Sequence, residues 1–308
     1  MTTPSGERVA YYNGRIVLES EVRVPFRDRG FIFGDAVFDT TRTFGHRVFK
    51  LRPHVERLYR SLRYLRLDPG IPPARMIEIT EAVLARNLPL LAPDEDYWVT
   101  QRVSRGTDPA FVPGAPGGPT VIVECLPLPL RARARLFRDG IRVIVPSVRR
   151  VPPECLSPRA KTHNYLNLIT GDLEARARDP EAWAVLLDIH GNLAEGTGSN
   201  LFLVKGGTVS TPRGEFVLGG ISRETAIELA REGGISVLER DLDLYDAYSA
   251  DEAFLTSTSL CICPVRSVNG IQIGGGEVWG PITRRLADAY ARLVDCDFVA
   301  QYLKRLEA

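Results

Sequence analysis

Lys161, in the segment SPRAKTHNYLN, is a lysine in a chain that strongly prefers arginine. Of 39 lysine and arginine residues, four are lysines, at positions 50, 161, 205 and 304. A guanidinium stays protonated, whereas an amine can lose its proton and attack a carbonyl. Lys205 and Lys304 fall in solvated contexts and Lys50 ends a predicted strand. Lys161 is therefore the candidate for Schiff-base chemistry.

Tyr165 follows Lys161 by four residues. The sequence predicts a helix that starts near Lys161 and runs to about 178, and residues i and i+4 of a helix share a face. An amine beside a phenol and apolar side chains, with no carboxylate nearby in sequence, can be desolvated enough to be neutral and nucleophilic. An ordinary solvated lysine at a helix start is the alternative.

Three further patterns suit a carbonyl cofactor that carries a phosphate. Glu195, in NLAEGTGSN, could hold a ring nitrogen protonated, as a pyridinium electron sink requires. LGGISRE places two glycines before Ser222, the predicted N-cap of a helix, where free N–H groups and the positive helix end attract anions. TSTS at 256–259 offers hydroxyl and N–H groups at a strand end. A surface loop, a helix cap and a strand end are the structural alternatives.

Composition limits the classes of partner. The chain has 308 residues, 44% hydrophobic and 25% charged, which fits one large or two medium globular domains. A net charge of +1 gives no reason to expect nucleic acid or an acidic membrane surface. Five cysteines form neither a paired framework nor a metal-ligand pattern, and no apolar run is long enough to cross a membrane. We expect a cytoplasmic protein that binds small molecules and no metal.

Short strands alternate with amphipathic helices, which predicts an α+β fold. A hairpin is expected at Asn13-Gly14, with helices from Leu51, over 74–87 and over PITRRLADAYARLV. LPLPLRARARLF is rich in proline and arginine and shows no periodicity. We therefore predict a small N-terminal α/β domain over 1–127, an interdomain loop over 128–137, and a larger domain over 138–308.

Six blocks in order resemble the fold-type IV pyridoxal phosphate enzymes: GDAVFDTTRTF, HVERL, AKTHNYLN, EGTGSNLF, GGISRE and FLTSTSLCICPVRSVNG. The resemblance runs from about Tyr11 to about Val294. That family includes branched-chain aminotransferases, D-amino acid transaminases, (R)-selective amine transaminases and aminodeoxychorismate lyases. It implies a pseudo-barrel C-terminal domain, a site between the two domains, pyridoxal 5'-phosphate as cofactor, and a homodimer.

The resemblance also implies roles for individual residues. Lys161 resembles the lysine that holds the cofactor aldehyde as an imine and moves the α-proton. The residues that resemble the family's other cofactor contacts are Arg57 (phosphate), Tyr165 (ring oxygen), Glu195 (ring nitrogen), Leu218 (ring face), Ile221 and Ser222 (phosphate at the helix start) and Thr258 (second phosphate contact).

Substrate residues are carried over with gaps. Thr258 and Ser259 are expected to place backbone near the substrate carboxylate. Phe38 stands near a tyrosine of D-amino acid transaminases, whose Arg-x-His trap is missing from RGTDPAFVPG. Branched-chain enzymes have a Tyr-x-Arg strand, and here Tyr97 begins Tyr-Trp-Val. Arg42 matches an arginine of branched-chain types, and Arg102 is a further candidate for carboxylate binding.

The resemblance favours a transaminase that moves an amino group between an amino acid or amine and a 2-keto acid, similar to branched-chain aminotransferases. VRRVPPE, before the lysine, resembles the (R)-amine group. D-amino acid or (R)-amine transamination therefore stays open, as does a lyase reaction on the same scaffold. A protein that binds a phosphometabolite without catalysis is the alternative from another class.

Overall fold

The structure is a computed structural model that describes residues 6–114 and 117–306. The chain divides into two compact units. The first unit runs as far as Leu128 and also takes in Ala160–Asn164. The second unit comprises Pro129–Arg159 and the chain from Tyr165 onwards.

The first unit contains a six-stranded sheet in the order β2-β1-β6-β5-β3-β4. Its pairings are antiparallel, and Tyr12 lies opposite Arg15 across the tight turn that joins β1 and β2. The elements are β1 (Val9–Tyr12), β2 (Arg15–Leu18), α1 (Arg29–Phe33), β3 (Ala36–Phe44), β4 (Arg47–Val48), α2 (Leu51–Tyr64), α3 (Pro73–Asn87), β5 (Tyr97–Thr107) and β6 (Gly118–Pro127).

Two helices cover one face of this sheet. The α2 side chains Val55, Leu58 and Leu62 are buried at helical spacing, and they form one core with Met76 and Val83 of α3. Burial of such apolar side chains contributes about 1.5–3 kcal/mol each. The core fixes α2, and with it the polar residues that α2 carries, against the sheet.

The second unit contains a larger mixed sheet with helices around it. Its elements are α4 (Leu130–Asp139), β7 (Ile141–Ile144), α5 (Leu166–Arg178), β8 (Trp183–Leu187), β9 (Leu193–Gly196), β10 (Asn200–Lys205), β11 (Thr208–Thr211), α6 (Ile221–Glu232), β12 (Val237–Glu239), α7 (Leu244–Ser249), β13 (Glu252–Ser257), β14 (Cys261–Val268), β15 (Ile271–Gln272), α8 (Pro281–Val294) and α9 (Phe298–Leu303).

The larger sheet closes on itself. Its strands follow the order β10-β13-β14-β7-β8-β9, and β9 then pairs with β10 through Glu195 and Asn200. Closure removes the two free edges that an open sheet would leave there. The α+β class with a barrel-like second unit, which the sequence predicted, is confirmed.

The predicted interdomain loop over 128–137 is wrong, because most of it forms α4. Leu130, Ala134 and Phe137 are buried on one helical face, Arg131 and Arg135 are exposed, and Arg133 is partly buried. The apolar stripe is short, and the arginines conceal it in the sequence. Phe137 stacks on Tyr302 of α9 with ring centroids 4.3 Å apart, so contacts distant in sequence hold this helix.

The predicted helix around Lys161 begins later than expected. α5 starts at Leu166, and the segment before it instead forms a bridge between Thr162 and Val37 of β3. Ala160–Asn164 therefore groups with the first unit, although the sequence analysis assigned all of 138–308 to the second domain. Pairing with β3 outweighs the helical preference of these residues.

Several elements agree with the sequence analysis. The hairpin at Asn13-Gly14, helices α2 and α3, and the closing helix α8 are confirmed. Among the helices of the described residues, none has both the length and the apolar character needed to cross a bilayer.

Candidate active site

Backbone hydrogen bonds on both sides fix Lys161 within the first unit. Its carbonyl accepts from the Phe38 N–H at 3.0 Å, and its own N–H donates to Ser61 Oγ at 3.0 Å. Ser61 in turn donates to the carbonyl of Arg57, one turn earlier in α2. The Lys161 Nζ lies 4.5 Å from the centroid of the Phe38 ring. Lys161 is thus held between β3 and the helix that carries Arg57.

Arg57 is held by a buried carboxylate. Its Nε and Nη2 donate to the two oxygens of Asp39 at 2.8 Å each, a bidentate pair. His54 Nδ1 lies 2.7 Å from Asp39 Oδ1, and because an ionised carboxylate accepts only, Nδ1 carries the proton. All three side chains are buried. The pair fixes the guanidinium of Arg57 in one orientation.

The surroundings shift the pKa values of this cluster. Burial alone would raise the pKa of Asp39, but the charges and hydrogen bonds of Arg57 and His54 hold it well below its usual range. The pKa of His54 is lowered, mainly by burial and further by the positive charges of Arg57 and Lys161. Asp39 is therefore ionised and His54 neutral near pH 7.

Arg42, predicted to bind a substrate carboxylate, is buried and has partners within the first unit. Its side chain is 1% exposed, its Nε donates to the Thr43 carbonyl at 2.9 Å, and its Nη2 pairs with Asp96 at 3.5 Å. Its guanidinium also lies over the Phe44 ring at 4.0 Å. Arg42 is therefore held at the end of β3, and its contact with the substrate stays a prediction.

Tyr97, another predicted substrate residue of this sheet, lies in the core instead. Its ring is 1% exposed within the core of the first unit, and its hydroxyl donates to the Asn87 carbonyl at 3.1 Å. Neighbouring strand residues point to opposite faces, so an error of one residue reverses the face. Trp98, opposite Arg42, shares instead the sheet face of Phe38.

In the second unit, Glu195 is buried and both carboxylate oxygens have donors. Arg150 Nε donates to Oε1 at 2.9 Å, and the backbone N–H of Leu218 donates to Oε2 at 2.8 Å. The Nη1 atom of Arg150 donates to Asn167 Oδ1 at 3.4 Å. These contacts orient the carboxylate at the point where the sheet closes.

Asn200 binds the backbone carbonyl of Leu218. Its Nδ2 donates to the Leu218 carbonyl at 3.0 Å, while Glu195 binds the N–H of the same residue. A Cβ at Gly220 would collide with Asn200 Oδ1, so glycine is required at this close approach. The turn before α6 is therefore clamped to strands β9 and β10.

The turn leads directly into α6, whose first residues are Ile221 and Ser222. Gly220, not Ser222 as predicted, is the N-cap. The N–H groups of the first helical turn have no partner within the helix, and they carry the positive end of its dipole. The Ser222 hydroxyl lies 3.5 Å from that of Tyr290. The two glycines therefore precede a helix start, as the sequence indicated, and the binding of an anion there stays a prediction.

Thr258 and Ser259 form the turn between β13 and β14. Tyr302 of α9 donates to the Ser259 carbonyl at 2.7 Å, and Arg133 of α4 donates to the Ser259 hydroxyl. Burial lowers the pKa of Arg133. Two helices distant in sequence thus hold this turn in place.

Tyr165 is the residue that precedes α5, and it packs against a small cluster of Leu168, Ala184 and Leu186. The structure therefore does not support the helical spacing from which its proximity to Lys161 was argued. Its role at the cofactor stays a prediction from the family resemblance.

Sequence reasoning missed the residues that hold the predicted ones: Asp39, His54, Arg150 and Asn200. One signal was available, because His54 and Arg57 are polar residues on the apolar stripe of α2, where a buried partner is required. No such signal marked Arg150 or Asn200, since their partners Glu195 and Leu218 come from other segments of the chain.

Comparison with known proteins identifies the family. The model of the amino-transferase class IV family matches residues 36–268. A protein of Methanocaldococcus jannaschii is 38% identical over 283 residues, covering 91% of this chain and 94% of its own. The crystal structure of the Escherichia coli branched-chain amino acid aminotransferase superposes with a TM-score of 0.85 at 32% identity, covering 94% of this chain and 95% of that one.

The cofactor is indicated by a further structure. The branched-chain amino acid aminotransferase of Thermobaculum terrenum, determined in its PLP-bound holo form, has a TM-score of 0.82 at 28% identity and covers 97% of each chain. The chain belongs to the class IV aminotransferases, a family of pyridoxal phosphate-dependent enzymes.

Proposed function

We propose that this aminotransferase passes an amino group from an L-branched-chain or related amino acid to a 2-keto acid, with Lys161 as the cofactor attachment point. The observation that carries the proposal is the fixed position of Lys161, on the same helix–strand frame as the buried Arg57–Asp39 pair. Relatives named as branched-chain aminotransferases support the choice of substrate.

The residues present fit pyridoxal phosphate. In the second unit, the hydroxyl oxygens of Thr197, Ser199 and Thr256 are buried and have no hydrogen-bond partner among the described residues. Buried polar groups are normally satisfied, so these hydroxyls suit a polar ligand. Thr256 lies opposite Asn200, next to the clamped turn that leads into α6. Hydroxyl groups beside a helix start can donate hydrogen bonds to the oxygens of a phosphate.

In the first unit, we assign Lys161 as the attachment lysine and Arg57 as a phosphate ligand. A phosphate prefers the planar fork of arginine, and a guanidinium already fixed by Asp39 loses little side-chain entropy on binding. Phe38, whose ring lies beside the Lys161 amine, is assigned to the substrate side.

In the second unit, we assign Glu195 to the ring nitrogen and Leu218 to the face of the ring. Ile221 and Ser222, with the N–H groups of the helix start, are assigned to the phosphate, together with Thr258. The backbone of Thr258 and Ser259 is assigned to the substrate carboxylate, and Tyr165 to the ring oxygen. The clamped turn and the anchored Ser259 support these roles.

The mechanism requires few protein groups. When bound, pyridoxal phosphate supplies an aldehyde that exchanges amino groups and a ring that takes up an electron pair from the substrate carbon. Lys161 Nζ would act as the general base that takes the proton from the substrate α-carbon and holds it for return. The Glu195 carboxylate, oriented by Arg150, would accept a hydrogen bond from the ring nitrogen and keep it protonated.

D-amino acid and (R)-amine transamination are the second candidate. Val99 stands where branched-chain enzymes have the arginine of Tyr-x-Arg, and Ala110 and Val112 stand where D-amino acid transaminases have Arg-x-His, so neither carboxylate-binding pattern is present. A direct comparison of amino donors must therefore decide which donor this enzyme uses.

We also propose a homodimer formed through an apolar patch on the first unit. Phe26, Phe31 and Phe33 are exposed, Phe31 by 74%, and Val24 and Ile32 lie in the same segment. Contiguous exposed apolar surface of this kind commonly marks a protein–protein interface. Arg27 and Arg29 lie over the Phe26 and Phe33 rings. We refer to these residues, 24–33, as the Phe31 patch.

A cytoplasmic location is proposed from the cysteines. All five are free, and Cys125, Cys261 and Cys263 are buried as thiols. Burial raises the pKa of Cys125 to about 12, so this thiol stays protonated and unreactive. Unpaired cysteines are typical of a reducing compartment.

The attachment point is tested by borohydride reduction of the purified enzyme. Because Lys161 is the proposed attachment residue, reduction should leave the cofactor covalently bound to a tryptic peptide that contains Lys161, as mass spectrometry would show. Lys161→Ala should give no labelled peptide and no amino transfer. Lys205→Ala, at an exposed lysine, is the control and should label normally. A label at another lysine would contradict the assignment.

The donor is tested with half-reactions of the isolated enzyme. L-leucine should convert the bound cofactor to its amine form, followed by the change in cofactor absorbance. D-alanine and (R)-1-phenylethylamine should react at least about 100-fold more slowly, the discrimination that about 2.7 kcal/mol gives. Aminodeoxychorismate should give no pyruvate. A faster reaction with (R)-1-phenylethylamine than with L-leucine would favour the second candidate.

Asp39→Asn should weaken the binding of pyridoxal phosphate. The variant keeps the shape of the side chain but removes the charge that fixes Arg57. We therefore expect the dissociation constant of pyridoxal phosphate to rise about tenfold or more, which corresponds to a loss of at least about 1.4 kcal/mol of binding free energy. Pyridoxal, which has no phosphate, should bind the wild type and the variant alike in titrations of the apoenzyme. Asp35→Asn, which loses pairs with Arg29 and Arg105, is the control. Equal losses for both ligands would mean that Asp39 acts through general stability.

The Phe31 patch is tested by charge substitution. Phe31→Asp combined with Phe33→Asp should convert a dimer into a monomer in light scattering after size exclusion, because a charge cannot be buried unpaired in an apolar interface. Tyr245→Asp, at a side chain 79% exposed on the second unit, is the matched control and should leave the mass unchanged. A doubly substituted protein that keeps the wild-type mass would exclude this patch as the interface.

A further inference from the structure

Ser259, in the turn between β13 and β14, is held at two points by two different helices. The Tyr302 hydroxyl of α9 donates to the Ser259 carbonyl at 2.7 Å. Arg133 of α4 donates through Nη1 to the Ser259 hydroxyl. Ser259 itself is 3% exposed. Its orientation therefore depends on α4 and α9 as well as on the two strands that the turn joins.

α4 and α9 support the turn as one packed unit. Arg133 and Phe137 are one helical turn apart in α4, so their side chains share a face. Phe137 stacks on the Tyr302 ring with centroids 4.3 Å apart, and its edge contact with Phe298 has a centroid distance of 6.2 Å. All three aromatic rings are buried. The ring that carries the Tyr302 hydroxyl is therefore fixed relative to the helix that carries Arg133.

The turn itself has a backbone that needs such support. Residues 258–260 join Ser257 to Cys261, which are paired across β13 and β14. The Leu260 N–H donates to Ser257 Oγ at 3.1 Å, and Cys261 has a φ of +58°. A residue other than glycine persists in this left-handed region only where surrounding contacts determine its conformation. The contacts to Ser259 help to hold the turn in one conformation before a ligand arrives.

Arg133 also brings a positive charge to the turn. Its side chain is partly buried, and its Cζ lies 5.5 Å from the centroid of the Trp183 ring, within the range of a cation–π contact. Burial lowers the pKa of Arg133, and the Tyr302 phenol and the Cys263 thiol act in the opposite direction. A guanidinium nevertheless stays protonated near pH 7. A charge partly removed from water acts more strongly on a nearby anion than a solvated one does.

We propose that Arg133 and Tyr302 set the affinity of this turn for the carboxylate of the substrate, Arg133 through its charge and Tyr302 by fixing the Ser259 carbonyl. The inference rests on the proposed function, in which the backbone of Thr258 and Ser259 takes that carboxylate. Both residues act through Ser259, so they are positioning residues. A ligand of the same shape without a negative charge gains little from either of them.

The test measures the binding of two unreactive ligands to the holoenzyme, kept saturated with pyridoxal phosphate. Isocaproate has a carboxylate, and isocaproamide is its uncharged counterpart. Arg133→Met should weaken the binding of isocaproate about 10- to 100-fold, because it removes a charge and a donor, and should change the binding of isocaproamide less than about threefold. Arg133→Lys should recover part of the loss, because it keeps the charge. Arg135→Met, at an exposed arginine of the same helix, is the matched control.

Tyr302→Phe tests the second contact and also decides if Arg133→Met does not fold. The variant removes one hydroxyl and keeps the ring that stacks on Phe137. Isocaproate should bind about 3- to 10-fold more weakly, the loss expected for one hydrogen bond, and isocaproamide should bind as in the wild type. In half-reactions, the L-leucine concentration that gives half the limiting rate should rise, with the limiting rate itself unchanged. Tyr245→Phe, at an exposed tyrosine, is the control.

The two ligands separate carboxylate recognition from stability. Equal losses for isocaproate and isocaproamide would overturn the inference, because Arg133 and Tyr302 would then act only on the stability of the turn. Unchanged binding of isocaproate in both Arg133→Met and Tyr302→Phe would overturn it too, while amino transfer from L-leucine would still stand. A wild type that binds isocaproate through Arg133, yet accepts no amino group from L-leucine, would instead contradict the proposed function.

Discussion

The second unit depends on one strand pairing, Glu195 opposite Asn200, at which its sheet closes. Closure brings Glu195, Asn200 and Thr256 onto three adjacent strands. Glu195 accepts from the backbone N–H of Leu218, and Asn200 donates to the backbone carbonyl of the same residue. The turn that starts α6 is thereby positioned relative to a buried carboxylate. A loop could not hold this geometry alone, because each ordered backbone residue costs about 1–2 kcal/mol of conformational entropy.

Each unit prepares one charged group by pairing it with a buried opposite charge. In the first unit, Asp39 holds Arg57, so that a cation is oriented before any anion arrives. In the second unit, Arg150 holds Glu195, so that an anion is oriented before any cation arrives. Such pairs add little to stability, since desolvation offsets most of their attraction. Their value lies in pre-organisation, because a fixed charge need not reorient when a ligand binds.

The sequence predicted the parts of the fold that local pattern determines. The Asn13-Gly14 turn and the stripes of α2, α3 and α8 depend on neighbours within a few residues, and these elements were recognised. α4 was not, because its apolar stripe is three residues among arginines and its partner Tyr302 comes from the end of the chain. Lys161 was singled out by its chemistry, although the segment that contains it pairs with β3 and the predicted helix begins only at Leu166. Asp39, Arg150 and Asn200 were missed because only tertiary pairing gives them partners.

The same limit applies most strongly to β5, whose two faces carry different kinds of side chain. Side chains alternate along a strand, so Tyr97, Val99, Gln101 and Val103 are buried, while Trp98, Thr100 and Arg102 lie on the face of Phe38. A sequence block placed one residue out of register assigns a core tyrosine to the substrate. The register of β5 is set by cross-strand pairs, such as Phe38 with Arg102, and by the salt bridge from Arg102 to Glu124 of β6. The set of side chains beside Phe38 is therefore a property of register, because a shift of β5 by one residue would put Gln101 or Val103 in the place of Arg102.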